Sequence, residues 1–384
     1  MDEQGGLFVK KSNAFTIDEP AKVPAKIVAM GIGGIGTKSV RCMAEAGIRD
    51  VELIAVDTDI RELKASQAPL KLEIGTNITK GAGCGGDPKL GRKVALEEAE
   101  RLLDLFKDCD MVFLIGGEGG GIFTGAAPIF TGLASEAGAI TVAMATMPLS
   151  LQGMARRTHA EVGIRELKEA ADAVIAVSNE ELYRSLEEDV LLEESFSYAQ
   201  NIFCRAVRDL AEIIARPGIL KLELSDVHAV MRQRSVSLIG TGIAEGSNRA
   251  TEAAKRAITH PFLEATPIKE AKSVLMNVSG SRRSLRLHDI KSAAKVIEEQ
   301  ANLEDMVIGA MYDDCMEDRL KVTVIASGLM RAASELPDNF ELHIGTGNNV
   351  VIMGRSDQWK DSSGCSNGTN WEELDRPAFR RRHV

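Results

Sequence analysis

The sequence predicts an α/β fold: a parallel-sheet domain first, then a long central helix, then a second, α+β domain. Three observations carry the prediction. Short apolar runs alternate with polar, helix-favouring stretches through the first half of the chain, the pattern of strand–helix units on a parallel sheet. Two of those runs empty into glycine-rich turns. Residues 191–215 then keep an unbroken helical period and stop at Arg216-Pro217-Gly218, a strong terminator. A length of 384 residues agrees with two domains, because single hydrophobic cores stop growing near roughly 250–300 residues.

In order, residues 1–25 read as a flexible leader and 26–190 as a Rossmann-type nucleotide-binding domain. There the run at 26–30 ends in GIGGIGT, the run at 51–56 ends in Asp57-Thr-Asp59, and the run at 111–115 ends in GGEGGGIFTG. AITVAMAT and DAVIAVSN supply two more strands, followed by helix-favouring EVGIRELKEA and EELYRSLEED. Ligand loops in such a sheet gather at the carboxyl ends of the strands. The central helix occupies 191–218. Residues 219–329 hold four strand-like segments, SVSLIGTGIA, SVLMNVSG, DMVIGAMYDD and KVTVIASGL, with helices at RATEAAKRAIT and LHDIKSAAKVIEEQ. Residues 330–370 have linker composition, and 371–384 form a terminal peptide.

A net charge of −10 argues against nucleic acid and anionic membranes as partners, since both are bound through excess Lys and Arg. The six cysteines lie apart, without the spacing of a zinc site or disulfide framework, and read as reduced thiols. His159, His228 and His260 show no ligand or triad spacing. The first residues lack the pattern of a secretory signal, and no apolar run reaches about 18 residues. A cytoplasmic protein without direct membrane insertion is expected.

Gly31, Gly33 and Gly36 satisfy GxGxxG after a strand, and Asp57 lies where a dinucleotide fold keeps its ribose-binding acid. A dehydrogenase has no use for a second glycine loop at a later strand, and this chain has one at 116–125. In GGEGGGIFTGAAP successive backbone N–H groups can face one concavity ahead of a helix, which is a nest for phosphate. The chain lacks GxxxxGK[ST] and is not a P-loop protein.

Two glycine loops, a spine helix and an α+β domain together resemble the tubulin/FtsZ family. GIGGIGTKSV is similar to the first phosphate loop of FtsZ, IAVDTD to its second-strand loop, GAGCGGDPKLGR to its third loop, GGEGGGIFTGAAP to its tubulin signature and TMPLSLQGMARR to its ribose loop. GTGIAEGSNRATEAAKRAI, LMNVSG and KVTVIASGL extend the resemblance, which runs from about residue 26 to 329. It implies a tubulin/FtsZ-like fold, GTP or GDP with Mg2+ held between subunits, and head-to-tail filaments at the bacterial division site. The nucleotide contacts it implies are Gly33, Gly34, Ile35, Gly36, Thr37 and Lys38 in the first loop and Asp57 in the second. The signature loop would add Gly119, Gly120, Gly121, Thr124 and Gly125. Gln152 and Arg156 would serve the ribose, and Asn179, Phe196 and Gln200 the base. Lys221, Glu223 and Asp226 match the loop with which one FtsZ subunit hydrolyses its neighbour's GTP. LDRPAFRRR resembles the FtsZ peptide that docks onto the membrane-tethering proteins FtsA or ZipA, here through Pro377, Ala378, Phe379 and Arg380.

Several positions depart from the family pattern. Its signature reads GGGTGTG, so Ile122 and Phe123 replace a hydroxyl and a glycine. Ile122 cannot hydrogen-bond phosphate, and Phe123 is expected to carry a Cβ into a positive-φ position at a cost of about 1 kcal/mol. Ile35, Thr37 and Lys38 replace Gly, Gly and Asn, with Lys38 offering a cation. Gln152 replaces a Glu. Gln200 replaces the Asp that reads guanine and keeps one acceptor, which should weaken guanine preference by roughly 1–3 kcal/mol. Lys221 replaces a neutral amide, and Glu223 is one methylene longer than the usual acid. Two functions follow as expectations: a nucleotide-binding filament protein with slow or absent hydrolysis, or a non-hydrolysing structural or regulatory paralogue that joins or modulates filaments of another FtsZ.

Overall fold

The apolar runs become strands of one ten-stranded sheet in a computed structural model that describes residues 25–184, 191–216, 218–232, 235–259, 268–301 and 306–329. The first six strands are β1 (Ile27–Ile32), β2 (Glu52–Asp57), β3 (Leu70–Glu73), β4 (Met111–Gly117), β5 (Ile140–Met147) and β6 (Ala173–Ser178). They are all parallel, in the order β3-β2-β1-β4-β5-β6. The last four are β7 (Ser235–Ala244), β8 (Ser273–Gly280), β9 (Val307–Tyr312) and β10 (Leu320–Leu329). They continue the sheet as β7-β10-β8-β9, with β10 antiparallel to both β7 and β8. The halves meet where β6 pairs with β7 at Ala173–Ser235 and Val174–Val236.

The described residues also form twelve α-helices: α1 (Gly33–Glu45), α2 (Ile60–Ala65), α3 (Thr76–Thr79), α4 (Pro88–Glu97), α5 (Ala99–Phe106), α6 (Ile122–Glu136), α7 (Met154–Ala170), α8 (Asn179–Arg184), α9 (Leu192–Ala215), α10 (Leu224–Met231), α11 (Arg249–Ile258) and α12 (Leu287–Ala301), with three short 3-10 turns besides. Helices on both faces explain why the strands read as continuous apolar runs. Alternation along β1 sends Ile27 and Ala29 into a core shared with α1 and α9, and Val28, Met30 and Ile32 into a second core shared with α4, α5, α6 and α7.

The helix read from 191–215 is α9, 24 residues and about 36 Å long at 1.5 Å per residue. Its apolar side, Phe203, Val207 and Leu210, is fully buried. Its other attachment is ionic. Lys321 of β10, only 5% exposed, reaches Asp209 Oδ1 at 3.4 Å and Glu212 Oε2 at 2.8 Å, and the Thr241 hydroxyl of β7 donates to Asp209 Oδ2 at 2.7 Å. Burial pushes the Asp209 carboxyl up, but the Lys321 and Arg208 cations outweigh it and hold the group below its usual value.

Two elements differ from the reading of the sequence. β3 was not foreseen, since only Leu72 of LKLE is buried in this edge strand. GAGCGGDPKLGR is a loop only in its first half, because Asp87 Oδ1 accepts from the Lys89 N–H at 2.9 Å and Pro88 opens α4.

Candidate nucleotide site

The carboxyl ends of β1, β2, β4, β5 and β6 share one edge of the sheet, and the glycine loops lie there. β1 passes directly into α1 through Ile32, with no side-chain cap and no acid in the first turn, so the leading N–H groups of the helix remain available to an anion. Gly33 sits at φ +72°, a conformation glycine adopts without penalty. A Cβ on Gly34 would meet nothing within 4 Å, whereas one on Gly36 would fall 2.2 Å from the Ile115 carbonyl oxygen. Gly34 therefore faces open space, and Gly36 is a packing glycine that lets α1 lie against β4. Thr37 is buried, and its hydroxyl finds no hydrogen-bond partner among the described residues. Lys38 is exposed, more than a turn into α1.

In the second glycine loop Gly119 has φ +81°, and Gly120 has open space at its Cβ position apart from the Gly117 carbonyl 3.8 Å away. Gly121 packs against Cys84 and Asp87, and Gly125 against Pro88 and Arg92, so these two glycines seat α6 on the third loop and on α4. Each loop also sends an isoleucine to the other. Ile122 Cγ2 lies against Gly33, and Ile35 Cδ1 lies against Gly117. The expectation for Phe123 is corrected. It is a helical residue of α6 outside the positive-φ region, 1% exposed, with its ring against Gly116 in the core. No backbone strain arises there.

Thr124 is less free than expected. Its hydroxyl donates to Glu118 Oε2 at 2.7 Å and accepts from the Gly119 N–H at 2.9 Å. Glu118, which the sequence reading passed over, is 5% exposed, and its Oε1 has no hydrogen-bond partner among the described residues. Burial pushes its pKa up to about 8 against the Thr124 and Gly119 hydrogen bonds. A carboxyl between two glycines is the signal that could have exposed it.

The remaining residues divide. Asp57 is buried and folds back on its own turn, Oδ1 accepting from Thr58 N–H at 2.7 Å and Asp59 N–H at 3.0 Å, so it braces the loop. Gln152 Oε1 accepts from the Leu149 N–H at 3.2 Å, committing the amide oxygen within the ribose loop. The side chain of Arg156 is exposed, and its backbone carbonyl packs against Gly119. Asn179, 4% exposed, follows β6 directly, and Gln200 is half-buried on α9. Phe196 belongs to α9, but its side chain, like Pro377, Ala378, Phe379 and Arg380, lies outside the described residues.

Lys221, Glu223 and Asp226 are not brought to this edge. They precede and open α10, whose His228 Nε2 is 4.0 Å from Asp172 Oδ1, just before β6 begins. Asn179 is at the other end of that six-residue strand, about 20 Å away at 3.3 Å per residue. Lys221 Nζ pairs with Glu223 Oε1 at 2.7 Å, and Asp226 Oδ2 accepts the Glu223 N–H at 2.8 Å in a capping box.

Two glycine loops with open Cβ positions, an uncapped helix start and a buried unpaired hydroxyl, all at the carboxyl edge of a parallel sheet, define the class of α/β proteins that cradle phosphate. Residues 26–187 match the profile of the Tubulin/FtsZ family, GTPase domain, and residues 235–330 that of the FtsZ family, C-terminal domain. A solved FtsZ point mutant from M. jannaschii is 31% identical, with 80% of this chain and 92% of that chain covered at a TM-score of 0.71. The empty FtsZ dimer of M. jannaschii is 30% identical over 80% and 89%, also at 0.71. CetZ2 from Haloferax volcanii, solved as a GTPγS-bound protofilament, shares the fold at 20% identity, 80% and 94% coverage and a TM-score of 0.68. The chain belongs to the tubulin/FtsZ family.

The GTPase-domain profile implies a guanine nucleotide, and the cradle fits its phosphates at Gly33, Gly34, Thr37, Gly119 and Gly120. Among the described residues no three His, Cys, Asp or Glu side chains converge as metal ligands.

Proposed function

We propose that this chain is a cytoplasmic FtsZ-type filament protein of the bacterial division site that binds GTP or GDP between head-to-tail subunits and hydrolyses GTP slowly. The observation that carries the reading is the split site: an open phosphate cradle at one edge of the sheet and the Lys221–Glu223–Asp226 loop at the other. One subunit cannot close that distance on itself, and a heterologous head-to-tail contact joins the two edges. In that contact Glu223 and Asp226 orient and polarise the attacking water, while Lys221, already paired with Glu223, damps the acid. Guanine is read by Asn179 and Gln200, with Phe196 stacking and Arg156 at the ribose. The terminal peptide, Pro377 to Arg380, recruits FtsA or ZipA.

A second reading is favoured by one observation. Ile35 and Ile122 draw the two loops together across Gly117 and Gly33, which suits a subunit that copolymerises with another FtsZ without binding nucleotide. Equilibrium binding of GTP, GDP, ATP and NAD with magnesium, followed by phosphate release and light scattering, separates the two. Micromolar GTP binding with slow phosphate release and scattering polymers supports the first. No binding to any nucleotide sinks it and leaves the second.

A further inference from the structure

Glu118 is the one carboxyl inside the second glycine loop, and among the described residues its side chain is hydrogen-bonded by Thr124 and forms no ion pair. From its own loop the Gly119 N–H donates to Thr124 Oγ1 and also favours the Glu118 carboxylate, and from α6 Thr124 donates to Glu118 Oε2. β5 contributes the Thr146 carbonyl, which accepts the Glu118 N–H at 2.9 Å. α7 contributes Gly163, whose Cβ position lies 2.2 Å from Oε2. The charged groups of α7 stand further off: Arg156 has its backbone against Gly119, His159 is one turn before Gly163, and Glu166 is paired with Arg92 of α4. Of these, Glu166 acts on Glu118 and opposes its ionisation.

Thr124 has one proton and already accepts from Gly119. When Glu118 is ionised it can only accept, so it takes that proton, and Thr124 offers a ligand no donor. When Glu118 is neutral its O–H can donate to Thr124 Oγ1, and the proton of Thr124 becomes free to turn into the cradle.

We propose that Glu118 is a positioning acid of the nucleotide site: in its neutral form it donates to Thr124 and turns the threonine's own proton toward a phosphate oxygen, and when ionised it withdraws that donor and adds a negative charge beside the phosphates. This rests on the nucleotide reading above. Binding should then couple to proton uptake by Glu118, within the range to which burial moves it.

The test is GDP binding to the full chain and to Glu118→Gln by calorimetry from pH 7.0 to 9.0, below the ionisation of the guanine N1–H. Buffers of different ionisation enthalpy report protons taken up, and circular dichroism checks that each sample is folded. The amide of Glu118→Gln donates to Thr124 at every pH, so its affinity should stay level with no proton uptake. The native chain should lose about tenfold in affinity per pH unit above about 8, taking up close to half a proton at the midpoint. Parallel curves for the two proteins, or binding without proton uptake, would overturn the role of Glu118 while leaving the nucleotide reading standing. Absence of GDP binding in both proteins at every pH would overturn the two together.

Discussion

Phe123→Gly restores the family's own residue, yet it should cripple this chain. The ring is 1% exposed and packs on Gly116 between β4 and α6. Emptying such a site costs about 3–5 kcal/mol in lost transfer energy and cavity. A glycine inside α6 adds about 1 kcal/mol. The sum, about 4–6 kcal/mol, is comparable to the whole stability of many domains. Urea unfolding followed by far-UV circular dichroism reads it: with a slope of roughly 3 kcal/mol per molar, the midpoint falls by about 1.3–2 M. Phe123→Leu keeps most of the volume and should lose about 1–2 kcal/mol. A midpoint within about 0.3 M of the native chain, accompanied by tighter GTP binding, would refute the reasoning, because Phe123 would then be a loop residue obstructing the cradle.

Gly34→Ala should fold with an unchanged melting temperature and bind GTP at least tenfold more weakly, since its Cβ meets only the open cradle; unchanged binding in a titration would remove Gly34 from the phosphate contacts. Lys321→Met leaves the buried Asp209 with Arg208 and Thr241, and the half-buried Glu212 with Arg216, and should cost about 3 kcal/mol, the low end for a broken buried pair, at pH 7 in denaturant melts. Asp209 is held below its usual value, so its stabilisation is present above the unfolded pKa near 3.9 and fades as pH falls through the lower folded value. The gap between variant and native chain should therefore narrow on acidification. Lys221→Asn breaks an exposed pair, should change stability by less than about 1 kcal/mol, and should raise phosphate release several-fold in polymerising samples; an unaltered rate would clear Lys221 as the brake.

What could be read from the sequence, and what could not, follows from how local each cause is. β1, β4, β5 and β6 were legible because burial on both faces makes a strand a plain apolar run. β3 escaped because an edge strand of four residues with one buried leucine carries almost no such signal. The glycine loops were legible as glycine clusters, but composition does not say which glycines face a ligand and which seat a helix; Gly34 and Gly36 look alike until the carbonyl of Ile115 is placed. Phe123 was misassigned for the same reason, since its partner Gly116 is defined by the turn into α6. Gln152 spends its oxygen on Leu149, a commitment visible only once the turn is built. The contact between Glu118 and Gly163 spans too much of the chain for any motif to announce it.

Lys321 carries a consequence for how the last strand finds its place. All ten residues of β10 are buried, so apolar patterning alone barely distinguishes the native alignment of that strand from one slipped by a residue. A slip would carry the ammonium away from Asp209 and Glu212 and into hydrocarbon, leaving a buried cation unmatched and the buried Asp209 carboxylate with Arg208 as its remaining cation. The charge thus works as an address label, beside the weaker marks of Thr323 and Ser327 on the same strand, trading some stability for delivery to a single position.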